Sequence, residues 1–432
     1  MIRSIQELVH PEDVEIALPH EHVLHNIGAS VAASSLTAKH TICFEDLIKY
    51  RQFPFAYGGC NLLLQKEDEA FRELEMLQRV AKKSFKVLVL DVTLPVEGRD
   101  TFIKERLNLT TRLQNVQLLT VTTFENERMN EINDLDLDPM EQSERIAKTI
   151  EAELLFGIKS GGFVAFPGAV YQQICVNSTT VTARERVLVH GLARVCTNYS
   201  FDENSTENVE LETMIRSYID ALINAGAEKK KLVVCHADRW CYRESNGKVS
   251  SFLLEVFDRG VSVLFDTIGL IAVSDVMLIN SYSPSSAELP GTNSQEPPSH
   301  RCIARTIANI IKINPQYCHQ LLLSTNVHQR IQYRRYGGGG YTYLFKYFKT
   351  YVLGQGVSAA QWDQIVRGNV VKLWAWYVPP EVPPIPKNYL QCSICEKHFE
   401  PIEGEYFSKF TFIYCGTKCL RRHSRQNFVS LH

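Results

Sequence analysis

No stretch of the 432-residue chain approaches 18 consecutive apolar residues, and the opening Met-Ile-Arg-Ser-Ile-Gln-Glu has no apolar core. Neither a membrane-spanning helix nor a signal peptide is therefore expected. Excess charge of one sign is also missing. With 46 Lys and Arg against 48 Asp and Glu the net charge is −2, which points to no polyanionic partner for the chain as a whole. No internal repeat appears at solenoid periods. What is present, 45% hydrophobic and 22% charged residues, describes an ordinary globular protein. Eight of the 12 cysteines are scattered, at 43, 60, 175, 196, 235, 241, 302 and 318, while four crowd into 392–419. That split suits a reducing compartment, cytoplasm or nucleus, with one structural metal site rather than a disulfide framework.

The length exceeds one ordinary compact core, so one large domain with a small appendage is expected. Short β-rich apolar runs at 16–18, Lys86–Val92, Val116–Thr122, Gly162–Phe166, Arg194–Thr197, Lys231–Cys235, Val261–Phe265 and Gln320–Ser324 alternate with amphipathic helical stretches. Eight such runs are the count of a (β/α)₈ TIM barrel of the α/β class. The barrel is placed at 1–377, a stiff proline-rich linker at 378–388, and a small domain at 389–432. The Ser- and Pro-rich stretch Ser281–Ser299 reads as a long loop after the seventh strand.

The sharpest chemical signal is His20 and His22 within Ile-Ala-Leu-Pro-His-Glu-His-Val-Leu (16–24). Residues two apart on a strand share a face, so both imidazoles could meet one divalent metal. A catalytic metal takes at least three protein ligands and keeps a position for water. The remaining ligands must come from elsewhere in the chain.

Further stretches stand in order behind that pair. They are Leu-Asp-Val-Thr-Leu-Pro-Val-Glu-Gly-Arg-Asp (90–100), Val-Val-Cys-His-Ala-Asp (233–238), Phe-Asp-Thr-Ile-Gly (265–269), Tyr-Gly-Gly-Gly-Gly-Tyr (336–341) and Arg-Gly-Asn (367–369). With them, residues 1–377 resemble the phosphotriesterase-related family of the amidohydrolase superfamily. The resemblance implies a metal-dependent hydrolase barrel with two metals. One would be held by the first-strand His pair and an Asp on strand eight, the other by histidines of strands five and six, with a Lys or Glu of strand four bridging both.

His20, His22 and His236 occupy matching positions; the other three do not match. The alignment puts Val164, or a neighbour such as Phe163 or Ala165, at the bridging position. It puts Thr197 or Asn198 at the strand-five histidine and Asn326 at the strand-eight Asp. Without a bridging anion two close divalent cations repel strongly, and a neutral Asn cannot act as a general base. A single-metal site on His20, His22 and His236 remains, with Asp266, Cys196, Cys235 or His328 as substitute ligands and Asp266 and Asn326 as candidate pocket residues.

Three weaker patterns take plainer readings. His25 falls off the shared face and reads as a loop or helix-start residue. Gly337–Gly340, after Arg334 and Arg335, lacks the Lys-Ser/Thr of a phosphate loop and reads as a flexible loop into a helix at 341. Asp134, Asp136 and Asp138 lack the Gly and Glu of a calcium loop and read as an acidic loop capping the helix after Pro139.

Cys392-x₂-Cys395, 19 residues, then Cys415-x₃-Cys419 is a four-thiolate arrangement with zinc-site spacing in a segment too short to bury a core alone. The segment resembles small treble-clef fingers of the TRASH and FCS-like kind, which implies a structural Zn²⁺. His423 reads as a surface residue. Lys418, Arg421, Arg422 and Arg425 make the last helix basic, suited to a protein-binding surface or, less directly, a nucleic-acid backbone. Together these features predict a degenerate metallohydrolase barrel acting as a scaffold with an interaction finger. A mononuclear zinc hydrolase of an ester, lactone or amide is the alternative, and nucleic-acid binding through the finger a second one.

Overall fold

A computed structural model describes residues 1–27, 42–52, 58–133, 137–175, 180–195, 198–202, 208–241, 247–270, 299–377, 386 and 388–428. The chain divides into two compact units, Met1–Tyr377 and Val378–His432. The expected linker, apart from 386 and 388, lies outside the described residues, as do 281–298 of the expected long loop, Asp134, Asp136, Cys196 and Thr197.

The first unit is built on eight parallel strands: β1 Val14–Glu21, β2 Lys86–Asp91, β3 Val116–Thr122, β4 Pro167–Cys175, β5 Asn198–Asp202, β6 Val233–Val234, β7 Ser262–Phe265 and β8 Leu321–Leu323. They pair in sequence order from β1 to β8. The apolar runs are continuous because both faces of a parallel sheet are covered. Leu88 and Leu90 pack with Ala17, Leu119, Val121, Val233, Leu264 and Leu322 in one cluster. Their neighbours Val87 and Val89 pack with Leu118, Val234, Val263 and Leu321 in another. Alternation along each strand thus fills the barrel interior with one set and the sheet-to-helix layer with the other. Each such side chain contributes on the order of 1.5–3 kcal/mol by leaving water.

The two edge strands are joined where β1 ends and the chain leaves β8. The Asn326 N–H donates to the His20 carbonyl and the His22 N–H to the Val327 carbonyl, both at 3.2 Å. Between them the buried Glu21 carboxylate accepts from Ser324 Oγ, Thr325 N, Thr325 Oγ1 and Val327 N, all within 2.7–2.8 Å. An acidic residue between the two histidines therefore latches β1 to the segment after β8.

Two expected strands fall elsewhere. The run at 162–166 is not a barrel strand: Phe163–Ala165 pairs antiparallel with Ile158–Ser160 in a separate hairpin, and β4 follows it. The cause is Gly161 and Gly162, with φ of 55° and 84°, since a two-residue hairpin turn with both centres left-handed favours glycine. The run at 194–197 is displaced as well. Arg194 caps the helix Ala183–Ala193, the Val195 N–H bonds the Leu192 carbonyl, and β5 starts at Asn198. Gly337–Gly340 is also tighter than a flexible loop. A Cβ on Gly338 would meet the Gln332 carbonyl oxygen at 2.0 Å, and a turn of 3-10 helix at Gly340–Thr342 leads into the next helix. Asp138 accepts from the Met140 and Glu141 N–H groups at the start of Pro139–Phe156, a helix-capping role.

In the second unit, Leu390–Gln391 pairs with His398–Phe399 and Phe407–Lys409 with Phe412–Tyr414, both antiparallel, before a helix at Thr417–Ser424. Among the described residues no helix is long and apolar enough to cross a membrane.

Candidate metal sites

The barrel histidines converge at the carboxyl ends of the strands, where (β/α)₈ barrels build their sites. β1 delivers His20 and, just past its end, His22, both buried. His236 follows β6 and Asp266 follows β7. His236 Nδ1 lies 2.9 Å from Asp266 Oδ1, and His20 Nδ1 lies 3.3 Å from Asp266 Oδ2. The ligand atoms of His20, His236 and Asp266 all fall within 4.8 Å of one another. His20 Nδ1 has no hydrogen-bond partner despite its burial, because its approach to Asp266 lacks hydrogen-bond geometry. Asn326, after β8, also carries a buried Oδ1 without a partner. Beside these groups is a cavity of about 140 Å³ that Tyr171, Gln173 and His328 help to line.

Local backbone conformation aims these side chains. His236 and Asn326 are both left-handed, with φ of 53° and 44°. Such conformations in non-glycine residues cost energy and cluster at functional sites. Asp238 holds the β7 end in place by accepting from Asp266 N at 2.7 Å, Thr267 N at 2.9 Å and Thr267 Oγ1 at 2.8 Å.

Hydrogen-bond bookkeeping assigns the imidazole tautomers. Arg106 Nε donates to Asp91 Oδ2 at 2.6 Å, and Thr93 Oγ1 donates to Asp91 Oδ1 at 2.6 Å. The Thr93 hydroxyl proton is thereby used, so the 3.1 Å contact with His22 Nδ1 requires that nitrogen to carry the proton. Neutral His22 then keeps its lone pair on Nε2. The Asp266 carboxylate can only accept, so His236 Nδ1 carries the proton that faces it.

Electrostatics favours uncharged imidazoles. Burial pushes His20 down to about 3, against the raising effect of Asp266, and holds His22 well below the usual histidine range. Burial alone would raise Asp266, but His236 and His20 more than offset it and keep the carboxyl below its ordinary value. His20, His236 and Asp266, with the orphaned buried Nδ1 of His20, form a donor set that fits one divalent cation.

Several expected site residues take different places. Val164 lies on the antiparallel hairpin, 37% exposed and outside the barrel sheet, so it does not stand at the bridging position. The strand-four residues facing the histidines are Tyr171, whose ring centroid is 5.5 Å from that of His20, and Gln173. Asn198 begins β5 in register with Tyr171. Cys235 packs into the barrel interior, where burial drives its thiol well up, and is no ligand substitute. His328 lines the cavity, but its Nδ1 donates to the Asn326 carbonyl and its Nε2 accepts from Gln329. His25 is a satisfied structural group: Nε2 donates to the His328 carbonyl and Nδ1 accepts from the Ile27 N–H. Sequence reasoning gave no role to Tyr171, Gln173, Arg106, Asp91, Thr93 or Asp238. The last three stand inside motifs quoted above, which was the available signal; Arg106 and Tyr171 offered none.

The second unit brings Cys392, Cys395, Cys415 and Cys419 together, with all four sulfurs within 4.8 Å of one another. Cys395 and Cys415 are 3.6 Å apart and Cys415 and Cys419 3.8 Å. A tetrahedral zinc with Zn–S near 2.3 Å separates its sulfurs by about 3.8 Å, so the cluster fits that ion. Burial would raise the Cys392 thiol, but backbone N–H groups of Cys415, Cys395 and Ile394 outweigh it and bring it to about 6. His423 is not a surface residue. It is 1% exposed, with its ring 4.6 Å from Phe412 and its Nδ1 3.0 Å from the Tyr414 hydroxyl, and it is a core element of the finger.

The chain is thus a phosphotriesterase-like (β/α)₈ barrel followed by a treble clef with a Cys₄ cluster. Residues 387–431 match the Vms1-associating treble clef domain. A resiniferatoxin-binding protein from Rhodobacter sphaeroides shares the fold at 20% identity and a TM-score of 0.64, over 86% of this chain and 94% of that one. The phosphotriesterase homology protein from Escherichia coli, solved with phosphate in its active site, matches at 17% identity and 0.56, over 84% and 99%. A lactonase from Listeria monocytogenes matches at 14% identity and 0.56, over 87% and 99%. No curated protein sequence matches the chain.

Proposed function

We propose that this protein is an adaptor in which a phosphotriesterase-like barrel has lost the binuclear hydrolytic centre and a zinc-held treble clef engages another protein. One observation carries the reading. Asp266 is the single carboxylate grouped with the barrel histidines among the described residues, while Tyr171 and Gln173 face them from β4. Glu97, at the cavity rim, turns its carboxylate to the Leu94 N–H. Two divalent cations about 3.5 Å apart repel by roughly 20 kcal/mol at an effective dielectric near 20. One monoanion already bonded to His236 cannot offset that. The barrel therefore takes at most one cation.

The partner reading rests on the finger's family, which is named for association with Vms1. Its thiolates must stay reduced to hold a metal, which supports an intracellular setting, cytoplasm or nucleus.

A second reading, a mononuclear zinc hydrolase of esters, lactones or amides, draws support from the His20, His236 and Asp266 cluster with its orphaned His20 Nδ1. If a metal binds there, its chemistry would be activation of water; His20, His236 and Asp266 would hold it and Asn326 would face the remaining space. Metal analysis of the full chain separates the readings. The adaptor is expected to lose its zinc on Cys392→Ser and to turn over no phosphotriester, lactone or aryl ester. Hydrolysis abolished by His20→Ala would replace it with the enzyme, and two barrel metals surviving Cys392→Ser would overturn both.

A further inference from the structure

The finger carries strain that its metal does not require. Phe410, Asn427 and Phe428 all adopt left-handed backbone, with φ of 57°, 54° and 54°. Bulky non-glycine residues rarely do so, and such conformations persist where function retains them. Two of these residues, Phe410 and Phe428, meet. Phe410, in the turn between Phe407–Lys409 and Phe412–Tyr414, has its ring 5.6 Å from that of Phe428, at 74°. Phe428 in turn lies 5.4 Å from the buried His423 ring, which packs on Phe412. An aromatic ridge therefore runs outward from the finger core and ends on Phe410, which is 76% exposed.

The segment that carries the ridge, after Glu405, has charge of one sign. From 406 to 432 the chain carries Lys409, Lys418, Arg421, Arg422 and Arg425 and no Asp or Glu. Arg421 and Arg422 are exposed on the helix that also supplies His423, and Arg425 caps it. Lys409 Nζ stands over both rings, 5.6 Å from the Phe410 centroid and 4.2 Å from that of Phe428. None of these five cations makes an ion pair with a carboxylate among the described residues.

We propose that Phe410, Phe428 and the cations Lys409, Arg421, Arg422 and Arg425 form the docking surface for an acidic protein segment carrying an apolar side chain. The inference deepens the adaptor reading and rests on it. The exposed ring supplies the anchor that interface hot spots need, and the surrounding cations supply steering and register. Rings meeting at 74° with a lysine over a face of each differ from the parallel platforms on which single-stranded nucleic acid stacks. The acidic peptide is therefore the favoured occupant.

Fluorescence anisotropy on the full-length, zinc-loaded chain tests this, with three labelled probes: a short peptide alternating Glu with Leu, the same peptide with Gln for Glu, and oligouridine. The Glu peptide is expected to bind on the order of tenfold more tightly than either alternative, an advantage that shrinks with added salt. Phe410→Gly relieves the left-handed strain, so zinc content is retained and thermal stability held or raised while peptide affinity falls about tenfold. Arg421→Gln with Arg422→Gln lowers affinity chiefly at low salt. Wild-type peptide binding by Phe410→Gly would overturn this surface and leave the interaction role of the finger standing. Equal binding of the Glu and Gln peptides would overturn the acidic-partner assignment. Tighter binding of oligouridine would overturn both the surface's partner and the adaptor reading of the finger.

Discussion

His236 Nδ1 stands 2.9 Å from Asp266 Oδ1, and the other oxygen of the same carboxylate stands 3.3 Å from His20 Nδ1. One buried anion thus faces two imidazoles delivered by strands on different parts of the barrel. It fixes the tautomer of the first and is the closest charge to the second. The grouping of His20 and His236 is organised around Asp266.

Asp266→Asn is expected to leave His236 without an ionised acceptor and to free its tautomer. Any cation affinity of the proposed barrel site should fall by at least about 10- to 100-fold, because Asp266 would be both a ligand and the carboxylate that orients His236. Titration of the zinc-loaded full chain with Co²⁺, followed calorimetrically, measures the change.

Thr93→Val addresses the second imidazole. It removes the acceptor of the His22 Nδ1 proton and one donor to Asp91, while Arg106 continues to pair with Asp91. The neutral Nδ1–H form of His22 should give way to a mixture of tautomers, read from imidazole nitrogen shifts by NMR. A destabilisation of about 1–3 kcal/mol accompanies the unsatisfied buried groups.

The barrel was legible in the sequence wherever apolar alternation was continuous, as at Val87–Leu90 and Val116–Val121, because burial on both faces leaves no other residue choice. It was illegible at 158–175. There two glycines turned the first apolar run back on itself, and the true strand began at a proline that reads as a breaker. The convergence of His20, His22 and His236 on one cavity was legible because their sequence neighbours are distinctive. Arg106 and Tyr171 reach the same site from a helix and a strand whose local sequence is generic, and only the closed sheet brings them there. His423 was misread because a histidine near four cysteines carries no sign of the aromatic pocket that buries it.

His25 gives the molecule an acid-sensitive element. Burial pushes it down to about 3, and both its nitrogens are satisfied only in the neutral form, since Nδ1 accepts from the Ile27 N–H. Between the unfolded value of 6.5 and about 3 the unfolded chain binds the extra proton, so stability rises with pH across that window and falls on acidification. This residue alone should account for a slope of up to about 1.4 kcal/mol per pH unit below pH 6.5. Urea unfolding of wild type and His25→Asn at several pH values should show the variant less stable at neutrality, with a slope smaller by one proton.

The proposed limit of one cation in the barrel can be tested by attempting to raise it. Under the proposed reading a second cation needs further anions at the cavity, and Tyr171 from β4 and Asn326 after β8 line it beside the histidines. Tyr171→Glu would set a carboxylate near His20, whose ring is 5.5 Å from the present tyrosine ring. Asn326→Asp would put an anion where Oδ1 is now buried without a partner. Each substitution alone places an uncompensated charge in a buried site and should destabilise the metal-free barrel by several kcal/mol. Together, in excess Co²⁺, they should raise barrel capacity from at most one ion to two, with thermal stability recovering as metal is added, because cations binding only the folded state shift its equilibrium. Elemental analysis after removal of weakly bound ions gives the count. A doubly substituted barrel that folds and still holds no second ion would show that residues other than Tyr171 and Asn326 set the limit.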